Sequence, residues 1–243
     1  MKIRNNLKKL IKKNKIVYEI VNNIYKILMN VKLKYFSGTY KDIFTNIYLN
    51  NKWGDNHSCS GPGSNLNQTK VVLKELSKLI TSYKIKNFLD IPCGDFYWLK
   101  EFDFKGINYL GADIVSELVN INIEKFKCDN INFANLDLIS DNLPDADIIF
   151  IRDCLVHFSF KDIFKTLKNI KKTNSKFILT TTFFQRSKNK DISTGAWRAI
   201  NLCKPPFNFP NPILTINEKC TENNNQYTDK ALSLWELKQI PDY

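Results

Sequence analysis

The stretch FLDIPCGDFYW (residues 88–98) decides the fold class of this chain of 243 residues. It begins as an apolar strand, ends that strand at Asp90, and then turns through Pro92 and Gly94. Asp90 and Asp95 flank this single glycine, whereas a phosphate-binding turn uses several glycines or a lysine to offer amides and positive charge to an anion. The turn is therefore predicted to repel pyrophosphate and to suit a ligand rich in hydroxyl and amino donors.

Strand-like apolar runs recur at regular intervals along the chain. They are KNFLD, NYLGAD, INFANLD, ADIIFIRD and SKFILTTTF. The intervals have the length of helices, as in FKDIFKTLKNIKK with its helical spacing of apolar residues, and another helix is expected over residues 68–83. Alternating strands and helices predict βαβ units and a mostly parallel sheet covered on both faces. KALSLWELKQI is predicted to close the sheet after a turn over residues 218–225.

Acidic residues end four successive predicted strands. They are Asp90, Asp113, Asp137 and Asp153, and Arg152 precedes the last of them. In open parallel sheets, ligands bind beside the carboxyl ends of the strands. A single Asp after a strand is more often a helix cap than a ligand contact, but four of them on one rim favour a ligand site. Asp113 lies 19 residues after Gly94, where a carboxylate of a Rossmann-like unit accepts hydrogen bonds from both ribose hydroxyls.

S-adenosylmethionine has the donors that such a rim requires, because it carries an ammonium, a ribose diol, an adenine amine and a sulfonium but no phosphate. Over residues 65–182 the chain resembles class I S-adenosylmethionine-dependent methyltransferases, through FLDIPCGD, YLGADI, FANLDL and DIIFIRDCLVHFS in that order. The longer string from NKWGDNHSCSGPGSNLNQT to TGAWRAINLCKPPFNFP is similar to bacterial small-molecule methyltransferases associated with surface-polysaccharide biosynthesis. This resemblance implies an α/β, Rossmann-like, doubly wound, mostly parallel seven-stranded sheet with an N-terminal helical extension.

The resemblance also implies the cofactor contacts. Asp90 and Gly94 would lie at the methionine end of the cofactor, Asp113 at the ribose, and Asp137 with Leu138 at the adenine. The full predicted cofactor-binding set is Trp53, Asp90, Pro92, Gly94, Asp113, Ile114, Asp137, Leu138 and Arg152. The turn DIPCGDF departs from the usual DxGxGxG, with Pro92 and Phe96 where glycines are commoner. Two roles for Asp95 stay open, contact with the ligand or capping of the next helix.

Methyl transfer to a hydroxyl needs a base, and the chain contains two histidines. His157 follows the fourth predicted strand, on the rim where a methyl acceptor would bind. A lone histidine is usually structural, but this position favours His157 as general base, with Asp153 orienting it or acting in its place. No metal site is predicted.

His57 lies in WGDNHSCSGPGS (residues 53–64). This segment is predicted to be a lid over the cofactor, with Trp53 and His57 facing the pocket. The alternative is a surface turn with Ser64 or Asn65 as the cap of the next helix, in which Trp53 simply packs.

Residues 181–212 form a connection that is too long and too rich in turn residues for a plain crossover. Long loops at the carboxyl end of a strand usually carry specificity. Arg186, Trp197 and Arg198 are predicted to clamp an anionic methyl acceptor such as a sugar phosphate or a nucleotide-linked sugar. Trp197 alternatively anchors the loop to the core.

The formal charge of +12 is concentrated at the N-terminus. Residues 1–35 hold ten Lys or Arg against Glu19 alone, so they carry +9 and leave +12 − 9 = +3 for the rest. A body of +3 argues against a nucleic-acid partner. Apolar positions in residues 3–35 alternate steps of four and three, which predicts a basic amphipathic helical extension, assigned to residues 1–50. The resemblance implies a methyltransferase domain over the remaining residues 51–243.

Three interpretations of this helix compete: packing on its own domain, self-association into a homo-oligomer, or contact with an anionic membrane surface. Packing or pairing is favoured, because basic solvent-facing helix faces are common. No apolar run reaches the roughly 20 residues of a membrane span. The six cysteines form no CxxC pair, which favours free thiols in a reducing cytoplasm, with contact at the inner membrane surface if the helix binds lipid.

The sequence therefore favours a cytoplasmic enzyme that methylates a small polar acceptor, most simply a hydroxyl of a sugar, sugar phosphate or nucleotide-linked polysaccharide precursor. An RNA methyltransferase is the enzymatic alternative. The third hypothesis is a non-catalytic cofactor-binding or scaffold protein that uses residues 1–35 to dimerise or to find a membrane.

Overall fold

The computed structural model describes residues 38–243 together with Ile24, Leu28, Val31 and Leu33. Apart from these four residues, the predicted basic helix over residues 1–35 lies outside the described residues. Its packing, pairing and membrane interpretations therefore stay predictions.

Seven strands form one sheet in the order β3-β2-β1-β4-β5-β7-β6. The strands are β1 Asn87–Asp90, β2 Asn108–Asp113, β3 Ile131–Asn135, β4 Ile148–Ile151, β5 Phe177–Phe183, β6 Leu214–Asn217 and β7 Lys230–Glu236. Strands β1 to β5 are parallel to one another, and β7 is antiparallel to both β5 and β6. The predicted Rossmann-like, doubly wound, mostly parallel seven-stranded sheet is confirmed. The short strand β6 has no counterpart among the predicted runs, and it pairs with β7, which therefore lies inside the sheet.

Four helices of eight or more residues accompany the sheet in the described part of the chain. They are α1 Tyr40–Leu49, α2 Leu66–Ser82, α3 Ser116–Phe126 and α4 Phe160–Ile170. Single 3-10 turns occur at Pro62–Ser64, Leu99–Glu101, Leu155–His157 and Leu237–Gln239. Glu222–Asn225 is a turn, as predicted, because Asn223 and Asn224 have left-handed backbone conformations. None of the described helices has the length and apolar character needed to cross a bilayer.

The pleat of the sheet divides the apolar residues between two cores. In β4, Ile149 and Ile151 belong to one buried cluster, and Ile148 and Phe150 belong to the other. Successive side chains of a strand point to opposite faces, so a strand covered on both sides is apolar throughout. Helix α4 adds Ile163, Leu167 and Ile170 to the first cluster, and α2 adds Val72, Leu76 and Leu79 to the second. Helices therefore cover both faces, as the sequence predicts.

The order of the strands creates a crevice between β1 and β4. From β1 the chain continues to β2 and β3 on one side, whereas β4 lies on the other side. At such a switch point the connections diverge and leave room beside the carboxyl ends of the strands. Asp90, at the end of β1, and Arg152 with Asp153, just after β4, therefore reach the same rim.

Helix α1 packs beside this rim. It begins with a capping box, in which Thr39 and Asp42 satisfy each other's backbone amides. Tyr40 Oη donates to Asp162 Oδ1 of α4 over 2.5 Å, and the Phe44 ring lies 5.9 Å from the Phe158 ring. Helix α1 thus contacts the body although it precedes residue 51, and the proposed division of the chain at that point stays a prediction.

Candidate functional site

A cavity opens at the carboxyl ends of β1, β2 and β4, and we call it the strand-end cavity. It brings together most of the residues that the sequence singles out. Trp53, Asp90, Pro92, Gly94, Asp113, Ile114, Asp137, Leu138, Arg152, Asp153 and His157 all line it. Helix α1 adds Tyr40, Phe44 and Tyr48. The four strand-end carboxylates therefore share one cavity, whatever the role of each.

Asp113 is held in place by the backbone on both sides. Its Oδ2 accepts from Gly94 N over 3.1 Å, and its Oδ1 accepts from Val115 N over 2.9 Å. Burial raises the pKa of Asp113 to about 6, against these backbone hydrogen bonds. Each carboxylate oxygen has two lone pairs, so one on each oxygen remains for a ligand. A diol is a ligand that would use both.

Asp90 is buried at the base of the cavity. Its Oδ2 accepts from Tyr109 Oη over 2.7 Å. Burial raises the pKa of Asp90 to about 8; the tyrosine hydrogen bond opposes this rise, and the charge of Asp113 adds to it. A buried carboxyl with a raised pKa is stabilised in its charged form by a nearby cation. The base of the cavity thus favours a positively charged ligand group.

Asp137 caps the turn after β3 and also lines the strand-end cavity. It caps the turn after β3, because its Oδ1 accepts from Ile139 N over 2.8 Å and its Oδ2 accepts from Ser140 Oγ over 2.9 Å. It also lines the strand-end cavity with Leu138 and Ile139. Capping fixes the carboxylate at the wall and leaves lone pairs toward a ligand.

Asp95 connects the turn after β1 to the segment of residues 53–64. Its Oδ1 accepts from Ser58 Oγ over 3.0 Å and from Ser60 Oγ over 3.2 Å, and its Oδ2 accepts from Cys59 N over 2.9 Å. It also accepts from Tyr97 N over 3.3 Å. Cys59 Sγ donates to the same Oδ2 over 3.4 Å. Asp95 lines the cavity as well, but five hydrogen bonds already occupy its carboxylate. Its main task is to hold residues 58–60 against the turn.

Gly94 is the point of closest approach between these two segments. Its φ is +57°, and a Cβ at this position would meet Ser60 Oγ at 2.1 Å. Both the left-handed backbone and the lack of space therefore require glycine. The single glycine of this turn therefore allows residues 58–60 to pack directly against the turn.

We expect Gly94→Ala to destabilise the chain more than Gly106→Ala. Gly106 also has a left-handed backbone, with φ +74°, but no atom lies within 4 Å of its Cβ position. Both variants lose about 1–2 kcal/mol from backbone strain, whereas only Gly94→Ala displaces Ser60. Urea unfolding of both variants measures the difference in the free energy of unfolding. Equal losses would contradict the proposed contact with Ser60.

A second cavity, which we call the side cavity, adjoins the first. The two share Trp53, Ser60, Asp153 and His157. Aromatic rings form much of its lining, from Trp53, Phe183, Trp197 and Tyr227. The Trp197 ring lies 5.0 Å from the Tyr227 ring, and the Phe183 ring lies 5.8 Å from it. The side cavity is therefore suited to a flat or ring-shaped molecule.

His157 lies where the two cavities meet. Its Nδ1 is 2.8 Å from Ala196 O, and a carbonyl can only accept, so Nδ1 carries the proton. Burial lowers the pKa of His157 to about 4, against the hydrogen bond with Ala196 and the charge of Asp153. Within residues 38–243, Nε2 makes no hydrogen bond. His157 is thus a neutral imidazole with a free lone pair at the junction.

Asp153 belongs to a cluster of charged side chains beneath the side cavity. Lys230 Nζ lies 2.5 Å from Asp153 Oδ2 and 3.4 Å from Glu218 Oε2. Arg152 Nη2 lies 2.6 Å from the same Glu218 oxygen, and it also donates to Gly63 O over 2.9 Å. Burial alone would raise the pKa of Asp153, but Lys230 and Arg152 outweigh it and lower the pKa to about 2. Asp153 is therefore an anion at neutral pH and a poor proton acceptor.

Three residues predicted to face the pocket or to clamp the acceptor lie outside both cavities: His57 of the predicted lid, and Arg186 and Arg198 of the predicted clamp. His57 is exposed, and its backbone amide donates to Asp55 Oδ1 over 2.7 Å. Arg186 pairs with the buried Asp229 at 3.6 Å. Arg198 is buried and donates to backbone carbonyl groups, so it is not available as an anion clamp. The structure therefore corrects the prediction that these arginines clamp the acceptor. Their side chains bind other parts of the chain and hold the long loop in place.

Trp197 is the one member of the predicted clamp that lines the side cavity. Its ring packs edge to face on Tyr227, and it also approaches Phe183 in the core. These contacts agree with the interpretation that Trp197 anchors the loop to the core, and its role as part of an acceptor clamp stays a prediction.

Several site residues escape sequence reasoning. Tyr40, Phe44 and Tyr48 come from a helix assigned to the extension, although their spacing of four residues marks one helix face. Lys230 and Glu218 lie far along the chain from Asp153, and no local pattern connects them. Only the antiparallel pairing of β6 with β7 brings them beneath the cavity.

No protein-family model matches this chain, and no curated protein matches it. Among solved structures, the N-methyltransferase NodS from Bradyrhizobium japonicum WM9 is similar, with 11% identity and a TM-score of 0.52 over 70% of this chain and 96% of that chain. The same enzyme in complex with S-adenosyl-L-homocysteine shares 13% identity, with a TM-score of 0.46 over 56% and 73% of the two chains. Human N-acetylserotonin methyltransferase in complex with S-adenosylmethionine shares 18% identity, with a TM-score of 0.41 over 62% and 44%. At these identities the likeness concerns the fold, and this chain has the Rossmann-like fold of the N-methyltransferase NodS.

Proposed function

We propose that this protein is an S-adenosylmethionine-dependent methyltransferase that acts on a small polar acceptor. One observation carries the proposal: two cavities meet at a neutral histidine, and one of them is lined by carboxylates at the strand ends. The strand-end cavity would take the methyl donor, and the side cavity would take the methyl acceptor. His157 then lies where a proton must be removed.

The residues of the strand-end cavity fit this donor in charge and in hydrogen bonding. The buried Asp90 favours a cationic group, and Asp113 keeps a lone pair on each oxygen for a diol. Among the described lining residues, Arg152 is the only Lys or Arg, and Glu218 pairs with it. A dinucleotide would bring its pyrophosphate to carboxylates, so the lining supports a donor without phosphate.

The binding roles follow the order of the strands. We assign Asp90, Pro92 and Gly94 to the methionine end, Asp113 and Ile114 to the ribose, and Asp137 and Leu138 to the adenine. Trp53 and Arg152 complete the lining next to the side cavity. When bound, S-adenosylmethionine supplies a methyl group on a sulfonium whose charge is lost on transfer.

His157 is the general base in this proposal. Its Nδ1 keeps its proton and donates a hydrogen bond to Ala196 O, and its Nε2 accepts the proton of the acceptor hydroxyl. The hydroxyl oxygen keeps the electron pair of the broken O–H bond and uses it to bind the methyl group. Asp153, which is ionised and paired with Lys230, contributes negative charge close to the imidazolium that forms. It stabilises this positive charge and does not accept the proton itself.

The methyl acceptor that the side cavity favours is an uncharged, sugar-like ring. Two cations, Lys52 and Lys230, and two carboxylates, Asp153 and Glu222, line this cavity. Lys230 lies within 3.9 Å of three carboxylates, so its charge is already matched. A phosphate would face Asp153 and Glu222, whereas a hydroxyl can donate to them. Of the sugar, sugar-phosphate and nucleotide-linked acceptors, we therefore favour the sugar itself.

Transfer of a radioactive methyl group tests the proposal. The protein is incubated with methyl-labelled S-adenosylmethionine and a small-molecule extract of the cells that make it, and the products are separated on an anion-exchange column. We expect labelled product in the unretained, uncharged fraction. Label only in the retained fraction would overturn the uncharged acceptor, and failure to bind S-adenosylmethionine in calorimetry would overturn the function itself. Label in added RNA would favour the RNA methyltransferase.

We also propose a cytoplasmic location, which suits six free cysteines, three of them buried. Homo-oligomer formation and contact with the inner membrane surface through residues 1–35 remain proposals that depend on a segment outside the described residues. The scaffold alternative predicts donor binding without transfer, and the labelling experiment separates it from the enzyme.

A further inference from the structure

Hydrogen bonds join the segment of residues 191–198, along its whole length, to the residues around His157. Gly195 N donates to His157 O over 2.8 Å, and Arg198 N donates to Val156 O over 3.0 Å. At the other end of the histidine turn, Ser159 N donates to Thr194 Oγ1 over 2.9 Å. Ala196 O, which accepts from His157 Nδ1, lies in the middle of this ladder. The segment thus carries the group that fixes the imidazole.

The side chain of Arg198 adds two more hydrogen bonds between the same two segments. Its Nη1 donates to Leu155 O over 2.8 Å, and its Nη2 donates to Phe158 O over 2.7 Å. These two carbonyls bracket His157 in the turn Leu155–His157. A planar guanidinium can bond two carbonyl groups at once in a fixed geometry, which an ammonium cannot. The side chain is buried, and none of the carboxylates in the described chain forms an ion pair with it.

The positive charge of Arg198 lies in the protein interior, close to His157. Burial lowers the pKa of Arg198 to about 10, and only Asp191 opposes this with a favourable charge. Three charges act on His157 from the elements around it: Asp153 raises its pKa, whereas Arg198 and Lys230 lower it. Arg198 therefore affects both the backbone that holds His157 and the charge state of its ring.

We propose that Arg198 is a positioning residue for His157: its fork on Leu155 O and Phe158 O sets the turn so that Nδ1 meets Ala196 O and Nε2 stays free at the junction of the cavities. The catalytic meaning rests on the proposed function, because it requires His157 to act as the base. The positioning itself is a property of the free protein. It can therefore be measured without a methyl acceptor.

Histidine nuclear magnetic resonance tests this directly, because the chain has two histidines and the exposed His57 serves as an internal reference. In the native protein, long-range proton–nitrogen spectra should show His157 as a single Nδ1–H tautomer. In Arg198→Met we expect both tautomers and a raised pKa for His157, because both the fork and the positive charge of Arg198 are lost. In Arg198→Lys we expect mixed tautomers with a smaller pKa change, because the charge is kept.

Arg186→Met is the matched control, since Arg186 is a neighbouring arginine outside both cavities, and His157 should be unchanged in it. A native tautomer and pKa of His157 in folded Arg198→Lys would overturn the proposal, even if Arg198→Met failed to fold. Binding of S-adenosylmethionine, measured by calorimetry on the same variants, should stay near that of the native protein. Mixed tautomers of His157 in Arg198→Lys together with normal methyl transfer would count against the base role and not against the fork.

Discussion

Replacing His157 with alanine should lower the rate of methyl transfer by about 10²–10⁴-fold, the range that general-base catalysis contributes. The physical reason is that His157 offers a neutral Nε2 lone pair at the junction of the two cavities. Asp153 cannot replace it, because Lys230 and Arg152 hold its pKa at about 2. The affinity for S-adenosylmethionine should change little, since Asp90 and Asp113 at the strand ends are untouched. Transfer of labelled methyl to the unretained extract fraction and calorimetry measure the two quantities.

The second histidine provides the matched control. His57 is exposed and lines neither cavity, so His57→Ala should keep both transfer and donor binding. Near-normal transfer by His157→Ala would show that the reaction needs no base at this position. A loss in His57→Ala alone would restore the sequence-based role of His57 as a lid residue that faces the pocket.

The parts of this fold that sequence reasoning predicts are those with local periodic signals. The four apolar residues of β4 are all buried, and such a continuous run is the pattern of a strand covered on both faces. The carboxylates that follow the parallel strands must reach one rim, because parallel strands end on the same side. Asp90, Asp113 and Asp153 could therefore be grouped before their contacts were known.

The parts that could not be predicted depend on contacts between distant segments. Strand β6 has four residues and follows a loop, so its pairing with β7 has almost no local signal. Arg198 looks like an anion clamp because arginine beside tryptophan in a long loop often is one. Its true partners are main-chain carbonyls some 40 residues earlier, and backbone carbonyl groups leave no trace in a sequence.

Asp95 illustrates the same limit at short range. Its position in the turn after β1 permits both a ligand contact and a helix cap. The structure shows a third role, because the carboxylate accepts hydrogen bonds from Ser58, Cys59 and Ser60, which lie 35 to 37 residues earlier. The sequence thus identifies the turn and its chemistry, whereas the tertiary structure decides which of its two carboxylates is free for a ligand.

Replacing Asp113 with asparagine should weaken the binding of S-adenosylmethionine by about 100-fold, which corresponds to the loss of about 2–3 kcal/mol from hydrogen bonds to a charged group. Both Asp113 oxygens accept backbone N–H groups, from Gly94 and from Val115. Either orientation of an asparagine amide would turn its NH₂ toward one of these donors, so the substitution also disturbs the turn at Gly94. Calorimetry should find the same loss for S-adenosylhomocysteine, because the two molecules share the ribose.

Asp103→Asn is the control for this variant. Asp103 is exposed and accepts from Lys105 N over 3.0 Å, so it repeats the local contact of Asp113 with Val115 at a position outside both cavities. It should keep native affinity for both molecules. Unchanged affinity in Asp113→Asn would refute the ribose assignment. A loss for S-adenosylmethionine alone would mean that Asp113 senses the sulfonium charge and not the diol, because S-adenosylhomocysteine lacks only the methyl group and that charge.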